Sequence, residues 1–204
     1  MGNSERPPKE KWDGRYGAAA YEPDKSPVPL LTEVVEAIPP GRALCLAAGC
    51  GRNAVYLAQC GFEVTAVDIS SRGLERCKEL AEDLGVRVDT VVADLLSYDL
   101  AVEAFDLITD FYYYEPELFS PVREAVRPGG YFLFQTFSIH HAGRGWGPQR
   151  ARHLAPPPLV LEAFQHWRIR LFGDLDIVHA DGDRTESVVR LLAQKPARSA
   201  AAAD

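Results

Sequence analysis

The stretch Leu44-Cys-Leu-Ala-Ala-Gly-Cys-Gly-Arg-Asn53 decides which fold the sequence predicts. The apolar run Arg42–Leu46 predicts a short strand, and the glycines after it predict a tight turn into a helix over Asn53–Cys60. Glycine permits backbone conformations that other residues avoid, and it lets the backbone approach a ligand closely. Gly-x-Gly turns also serve as plain packing devices, so this turn indicates a ligand site only together with other features.

Asp68 is the second feature, because it stands at the end of the predicted strand Phe62–Val67 and follows Gly51 by 17 residues. A carboxylate there can accept two hydrogen bonds from ribose hydroxyls, although an Asp before a helix also serves as a cap. The stretch Gly49-x-Gly51-x-x-Ala54 fits the dinucleotide fingerprint as well. Asp94, after the next predicted strand, is placed to accept from an adenine amino group. Together these residues favour a nucleoside site.

Outward from this turn, predicted strands alternate with predicted helices. The other predicted strands are Val86–Val92, Phe105–Thr109, Tyr131–Phe137 and an antiparallel pair, Trp167–Asp176 with Glu186–Gln194. The other predicted helices are Leu30–Ile38, Ser70–Leu84, Ser120–Val126 and Leu159–Phe164. We therefore predict an α/β fold, a doubly wound and mostly parallel seven-stranded Rossmann-like sheet with an antiparallel C-terminal pair. Ligands bind such sheets beyond the carboxyl ends of the strands.

The predicted domain, residues 29–195, lies between two irregular segments. Residues 1–28 are rich in Pro and Gly and are predicted to be an arm, and residues 196–204 a disordered Ala-rich tail. In the arm, Trp12, Arg15 and Tyr16 place aromatic rings beside a cation. They indicate either a lid over a ligand or a tail with a few adhesive side chains. Arg127-Pro-Gly-Gly130 is predicted to be a turn before the fifth strand.

The composition excludes several classes of partner. The chain has 204 residues, 47% hydrophobic and 25% charged, which suits a single globular enzyme domain. Its formal net charge of -7 argues against nucleic acid, since phosphate binding needs clustered Lys and Arg. No apolar run approaches the ~18 residues of a membrane span, and no signal-peptide core is present. Four cysteines without a CxxC pair predict reduced thiols and no metal site, so we expect a cytoplasmic protein.

Five motifs, in order and at the right spacing, resemble those of class I methyltransferases that use S-adenosylmethionine (SAM). They are Leu44–Ala58, Val64–Ser70, Ala93-Asp-Leu95, Phe105-Asp-Leu107 and Arg127-Pro-Gly-Gly130, and the resemblance runs from about Trp12 to Pro196. Within that class the chain is most similar to the small tellurite-resistance/thiol-methyltransferase-like family. The resemblance implies SAM as cofactor, S-adenosylhomocysteine as product and a small-molecule methyl acceptor. It does not imply an oligomeric state.

The resemblance also implies which residues bind SAM. Gly49 and Gly51 line its methionine and ribose, Asp68 holds the ribose hydroxyls, and Ile69 packs on the adenine. Arg15 and Tyr16 match an N-terminal segment that closes over SAM in similar proteins. The full predicted set is Trp12, Arg15, Tyr16, Ala47, Gly49, Gly51, Asn53, Asp68, Ile69, Asp94, Leu95 and Phe111. Asp106 is expected to be structural.

Candidate catalytic residues follow the fourth and fifth predicted strands. Methyl transfer is an in-line displacement, so alignment is the main task of the protein. Tyr112 and Tyr113 are expected to face the sulfonium through cation–π contacts, or else to pack in the core. His140 and His141 are candidate bases and Arg144 is a candidate anion site, unless the loop that carries them is simply solvated. His166 and His179 fall on a predicted helix end and hairpin and are assigned no function.

The sequence leaves alternatives open both for the methyl acceptor and for the activity itself. A thiol with a pKa of about 8.5 is partly ionised at neutral pH, so a thiol or another soft nucleophile is the acceptor that needs least help. The chain has Cys45 where the family usually has an acidic residue, Ala47 where Gly is common, and Pro156-Pro-Pro-Leu159 where Pro-Gly-Glu-Leu is usual. Two other hypotheses therefore stay open, a SAM-binding protein without turnover and a nicotinamide-dependent oxidoreductase.

Overall fold

The structure is a computed structural model that describes residues 8–179, 182 and 184–198. The helices are α1 (Pro8–Tyr16), α2 (Pro29–Val34), α3 (Arg52–Gln59), α4 (Ser71–Asp83), α5 (Phe119–Ala125) and α6 (Pro157–Ala163). The strands are β1 (Arg42–Leu46), β2 (Glu63–Asp68), β3 (Val88–Val92), β4 (Phe105–Phe111), β5 (Val126–Phe137), β6 (Arg168–Val178) and β7 (Thr185–Gln194). In the described ranges, no helix is long and apolar enough to cross a membrane.

The first compact unit, Met1–Asp99, is built on the parallel strands β1, β2 and β3. Their apolar side chains, among them Leu44 and Val67, are fully buried. Helix α3 presents Val55 and Leu57 to the core and ends at Gln59, and Gly61 shortly after it has a φ of +89°, which glycine adopts at little cost. The sequence pattern alone predicted these elements, because the apolar residues of each strand or helix recur at the spacing typical of that element.

The second compact unit, Leu100–Asp204, carries the other four strands. β4 pairs with β5 in parallel, and β7 pairs antiparallel with both β5 and β6. Aromatic rings fill its core, with Phe132 stacked on Phe164 at 4.9 Å between ring centroids. The seven strands are ordered β3-β2-β1-β4-β5-β7-β6, so the predicted mixed Rossmann-like sheet with an antiparallel C-terminal pair is confirmed.

The stretch Arg127-Pro-Gly-Gly130 is not the turn that the sequence predicted. It ends helix α5, as expected, but it already belongs to β5. Gly129 donates its N–H to Lys195 O at 3.0 Å, and Gly130 O accepts from Lys195 N at 2.9 Å. Gly129, at φ +84°, absorbs the local distortion that lets a Pro-Gly-Gly stretch stay in a strand.

The two segments outside the predicted domain, the N-terminal arm and the C-terminal tail, differ in structure. The arm contains helix α1, although its Pro and Gly content predicted irregular chain. The tail is without regular structure from Pro196 to Arg198, and residues 199–204 of the predicted disordered tail lie outside the described residues. Between β5 and α6, the long loop carries the two short 3₁₀ helices Ile139–His141 and Ala151–His153.

Candidate functional site

Asp68 lies at the carboxyl end of β2, where it links the glycine turn to the next helix. Its Oδ2 accepts from the Gly49 N–H at 2.7 Å and its Oδ1 accepts from the Ser70 N–H at 2.8 Å. The side chain is buried, with 6% of the residue exposed. Burial, together with the charge of Asp13, raises its pKa, and the two backbone hydrogen bonds oppose that rise. The helix-cap role belongs to Ser70, whose Oγ accepts from Gly73 N at 3.1 Å.

The turn after β1 has the positive φ angles that its composition predicted. Ala47, Gly49 and Gly51 have φ of +47°, +55° and +84°. A Cβ on Gly51 would stand 2.2 Å from the Cys77 sulfur, so helix α4 tolerates only glycine there. Buried among these groups, the thiol of Cys77 has its pKa raised to about 12 and that of Cys50 to about 11. Both cysteines are therefore thiols at neutral pH, as expected.

Helix α1 lies on the turn and on helix α4. Asp13 Oδ1 accepts from Ser70 Oγ at 2.6 Å and from Arg72 N at 3.3 Å. The Tyr16 hydroxyl is so close to Gly49 that a Cβ there would meet it at 3.0 Å. Burial, together with the charge of Asp68, raises the Tyr16 pKa, so the phenol is neutral at physiological pH. Two arm residues thus reach the glycine turn and the Asp68 end of β2.

The other predicted arm residues form an aromatic stack. Trp12 and Tyr16 stack with centroids 5.4 Å apart. The Arg15 guanidinium lies 5.3 Å from the Trp12 ring and 5.6 Å from the Tyr21 ring, and Arg76 lies on Tyr21 at 5.5 Å. Arg15 therefore contacts aromatic faces, which is the arrangement that the Trp-Asp-Gly-Arg-Tyr sequence suggested.

Four further predicted cofactor residues belong to this unit. Asp94 lies beside Asp68, because Ala93 N donates to Asp68 O at 3.0 Å, and it is exposed. Ile69 is half-buried and Leu95 is buried. Asn53, which was predicted to bind SAM, has its Oδ1 engaged inside the protein. It accepts from Val28 N at 2.9 Å and so fastens the segment before α2.

In the second unit, the predicted site residues at and after the end of β4 are Phe111, Tyr112 and Tyr113, and the Tyr112 hydroxyl is fixed by two hydrogen bonds. Phe111 is buried, and Tyr112 has a φ of +60°, an uncommon conformation for a bulky residue. Its hydroxyl donates to Glu186 Oε1 at 2.9 Å and accepts from Gln135 Nε2 at 2.9 Å. Tyr113 is half-buried. Asp110, just before them, is fully buried, and burial raises its pKa well above the ordinary value.

The two predicted bases differ in their surroundings. His140 is exposed, with Nε2 3.3 Å from Asp174 Oδ2. His141 is completely buried, its Nε2 lies 2.9 Å from Trp146 O, and its Nδ1 accepts from Ser187 N at 3.3 Å. Both ring nitrogens of His141 are thus engaged with backbone, which is the environment of a structural histidine rather than the base that the sequence suggested.

Arg144, the predicted anion site, is held by acidic and hydroxyl partners. Its Nη2 donates to Asp176 Oδ2 at 2.7 Å and its Nε to Ser187 Oγ at 2.9 Å. The hydrogen bonds from Ser187 and Arg144 lower the Asp176 pKa, so this carboxylate is ionised at neutral pH. An anionic acceptor would have to compete with it.

Glu186 is a buried polar residue that the sequence did not single out, and it lies near His179, to which the sequence assigned no function. Glu186 is buried, bonded to Tyr112, and its Oε2 lies 3.6 Å from His179 Nε2. The signal that could have found Glu186 is an acidic residue at the start of an otherwise apolar strand. Asp106, expected to be structural, pairs with Arg127 at 2.9 Å.

A family model described as a methyltransferase domain matches residues 43–130, which contain both the glycine turn and Asp68. A curated relative is hemagglutinin 1 from Eikenella corrodens, 29% identical over 116 residues, which are 50% of this chain and 36% of the relative. The aligned part thus spans about a third of that protein's length.

Solved structures share the fold of most of this chain. One, from work on the conversion of a disulfide bond into a thioacetal group in echinomycin biosynthesis, has a TM-score of 0.71, 19% identity and 94% coverage of both chains. TehB from Haemophilus influenzae has a TM-score of 0.69 and 19% identity, with 92% and 66% covered. Phospholethanolamine N-methyltransferase 2 from Haemonchus contortus, bound to phosphomonomethylethanolamine and S-adenosylhomocysteine, has a TM-score of 0.62 and 17% identity, with 81% and 52% covered. At these identities the likeness shows the fold.

The residues around Asp68 fit the ribose end of a SAM molecule. An ionised carboxylate offers about four acceptor positions, and the backbone N–H groups of Gly49, Ser70 and Ile69 occupy three of them. The remaining acceptor capacity of the carboxylate is available to a ribose hydroxyl. The fit is limited on the other side by Tyr16, whose hydroxyl already lies against Gly49, so a ligand at the turn has to share that space with the arm.

Proposed function

We propose that this protein is a methyltransferase that uses SAM and transfers its methyl group to a small-molecule acceptor. The observation that carries the proposal is the buried Asp68 carboxylate at the end of β2, which holds the glycine turn through Gly49 and keeps acceptor capacity for a ribose hydroxyl. The match of residues 43–130 to a methyltransferase domain favours SAM over a nicotinamide cofactor for the same strand, turn and helix. When bound, SAM supplies an electrophilic methyl group on a sulfonium.

The residues of the first unit then bind and orient. Asp68 accepts from the ribose hydroxyls, Ile69 packs on the adenine, and Asp94 accepts from its amino group. The backbone of Gly49 and Gly51 lies along the methionine part. Tyr16, neutral because burial raises its pKa, covers the turn without adding a charge. Orientation of this kind is worth on the order of 7–11 kcal/mol in well-aligned reactions.

The acceptor that we propose is a thiol or another soft nucleophile. Such a group is partly ionised at neutral pH and needs little help to lose its proton. One structurally similar protein comes from work on the conversion of a disulfide bond into a thioacetal group in echinomycin biosynthesis, which is sulfur chemistry.

Calorimetric titration tests the cofactor. We expect the protein to bind S-adenosylhomocysteine and SAM and not NAD. Asp68→Asn should weaken S-adenosylhomocysteine binding by about tenfold or more, since hydrogen bonds to a charged group are worth roughly 1.5–3 kcal/mol. The matched control is Asp89→Asn, an exposed carboxylate on the neighbouring strand β3, which should leave the affinity unchanged.

A double-mutant cycle separates ribose binding by Asp68 from its support of the turn. The second arm uses an S-adenosylhomocysteine analogue that lacks the ribose 2′- and 3′-hydroxyls. If Asp68 binds those hydroxyls, the analogue should bind wild type and Asp68→Asn about equally. NAD binding without SAM binding, or equal losses with both ligands in the variant, would overturn the assignment.

A further inference from the structure

Strand β6 is an edge of the sheet. In the described part of the chain it pairs with one strand, β7, and it spans the eleven residues Arg168–Val178. β3, at the other end of the strand order, has five residues. An edge strand leaves a row of backbone N–H and C=O groups free to pair with another chain, and proteins usually keep it short or place Pro or Lys in it. β6 is long and contains neither residue type.

The side chains of β6 are also open to solvent. None of its eleven residues, all of which the structure describes, is buried. Three large apolar side chains, those of Phe172, Leu175 and Val178, are 37%, 38% and 65% exposed. Most of β7, its neighbour, is buried. Exposed apolar groups along a free strand edge are typical of a surface that binds another protein chain.

The charged residues of β6 are arranged symmetrically about Phe172. Arg170 and Arg168 stand two and four residues before it, and Asp174 and Asp176 stand two and four residues after it. All four charged side chains are exposed. A two-fold rotation about Phe172 exchanges the arginines with the aspartates. The strand is therefore complementary in charge to an antiparallel copy of itself.

This symmetry selects one register for the pairing of two β6 strands. Opposite charges and apolar side chains that face each other across an antiparallel pair are stabilising, and like charges are destabilising. An antiparallel pair centred on Leu175 would place Asp174 opposite Asp176, and a parallel pair in register would place each arginine beside an arginine. Centring on Phe172 avoids both arrangements. The facing pairs are then Arg170–Asp174, Arg168–Asp176, Ile169–Leu175 and Phe172 with itself.

The contacts of the two aspartates inside the chain leave room for this pairing. His140 Nε2 lies 3.3 Å from Asp174 Oδ2, and Asp176 accepts from Arg144 at 2.7 Å and from Ser187 Oγ at 2.6 Å. The side chains of Asp174 and Asp176 are nevertheless 32% and 55% exposed. An arginine from a second copy can therefore approach each carboxylate without displacing its present partner.

The backbone of β6 is regular over the part that this pairing needs most. Its ladder with β7 runs in register from Leu171 to Val178, with one shift between Ile169 and Leu171. The centre at Phe172 and the aspartate half lie in the regular part. The shift falls in the arginine half, where long side chains can reach across a local irregularity.

We propose that β6 is a self-complementary interface, at which it pairs antiparallel with β6 of a second copy of this chain across a two-fold axis at Phe172. Because the interface is isologous, each arginine–aspartate pair occurs twice. The free backbone groups of the edge gain partners, and each Phe172 ring is covered by the other. The inference goes beyond the proposed methyl transfer and does not depend on it.

Charge reversal tests the pairing, with the full chain followed by sedimentation velocity from about 1 to 100 μM, a range that spans the affinities of transient interfaces. Wild type should form dimers. Arg170→Asp and Asp174→Arg, each alone, should raise the dimer dissociation constant by about tenfold or more, since like charges then face each other at two symmetric pairs. The double variant Arg170→Asp/Asp174→Arg should return to nearly the wild-type value. The matched control is Arg87→Asp, which makes the same change of charge beside the other edge strand at a residue 88% exposed and should leave dimerisation unchanged.

Cysteine cross-linking tests the register. Phe172→Cys and Leu175→Cys replace side chains of nearly equal exposure, 37% and 38%. On the two-fold axis the two Cβ atoms at position 172 face each other at about 4.5–5.5 Å, close to the ~3.8 Å of a disulfide. The two positions 175 lie about 20 Å apart along the strands in this register. Under a mild oxidant, Phe172→Cys should give a covalent dimer on a non-reducing gel, and Leu175→Cys should match wild type, whose four cysteines set the background.

Three results would overturn the inference. A chain that stays monomeric at every concentration leaves the β6 edge to a different partner. Dimerisation that Arg170→Asp does not weaken, or that the double variant does not restore, excludes the charge pairing. Equal cross-linking of the two cysteine variants excludes the register. Circular dichroism and urea unfolding show whether each variant folds, and if a charge variant does not, the cysteine pair decides by itself.

Discussion

At Gly51 the glycine turn and helix α4 approach so closely that only a hydrogen atom fits between them. The residue has a φ of +84°, and an added Cβ would stand 2.2 Å from the sulfur and 2.6 Å from the Cβ of Cys77. Gly85 has a similar φ of +67° but open space around its missing Cβ. The two positions therefore separate conformational strain from steric overlap.

Gly51→Ala should lower the free energy of unfolding by about 2–5 kcal/mol. Left-handed backbone costs a non-glycine residue roughly 1–2 kcal/mol, and overpacking a tight contact costs roughly 1–3 kcal/mol. Gly85→Ala, the control, should cost only the first of these. Urea unfolding followed by circular dichroism measures both. Cys77→Ala in the Gly51→Ala background should recover part of the loss, and equal costs at the two glycines would contradict the steric account.

At the scale of elements, helix α1 is held differently from the rest of the fold. None of its residues is fully buried, and Tyr16 at its end is half-buried, so no apolar face fastens it. Its contacts are the hydrogen bonds of Asp13 to Ser70 and Arg72, and the stack of Trp12, Arg15 and Tyr16. A nine-residue helix is marginal in water by itself, so these contacts keep it formed.

Asp13→Ala should loosen α1 without changing the stability of the domain. We expect backbone amide exchange over residues 8–16 to become about tenfold faster, since the lost hydrogen bonds are worth on the order of 1 kcal/mol. Hydrogen exchange with mass spectrometry measures the helix, and urea unfolding measures the whole protein. Glu10→Ala on the same helix is the control. Faster exchange throughout the protein would show that α1 is part of the cooperative core.

At the scale of the whole molecule, the buried carboxyl group of Asp110 links stability to pH. Burial raises its pKa well above 3.8 in the folded protein, and among the described residues its Oδ1 has no hydrogen-bond partner. The folded state therefore binds a proton that the unfolded state has already released. Its contribution to stability is complete below the unfolded pKa and is lost as the pH rises toward the folded pKa.

Asp110→Asn should remove this dependence. Relative to the variant, the wild-type free energy of unfolding should fall by up to about 1.4 kcal/mol per pH unit between the two pKa values of Asp110. Urea unfolding of both proteins from pH 4 to 8 gives the difference curve. Asp89→Asn, at an exposed carboxylate, should show no such curve against wild type. A flat difference for Asp110→Asn would mean that the group is ionised in the folded protein.

What the sequence determined by itself is the part of this protein that local pattern encodes. β1 runs from Arg42 to Leu46 as predicted, and the glycine turn and Asp68 follow from residue type and spacing alone. The antiparallel β6–β7 pair was also predicted, because alternation and turn residues act over short range. The Pro-Gly-Gly stretch at 128–130 was predicted wrongly, since its strand pairing comes from the distant Lys195.

The tertiary structure alone decided which polar side chains meet. His141 was a candidate base in the sequence, but folding buries it and binds both of its ring nitrogens to backbone groups of Trp146 and Ser187. His179 had no assigned function, yet strand pairing brings it to Glu186 and Tyr112. The physical reason is direction: a residue at the start of an antiparallel strand reaches the same edge as residues that end parallel strands, and only the pairing of the strands reveals it.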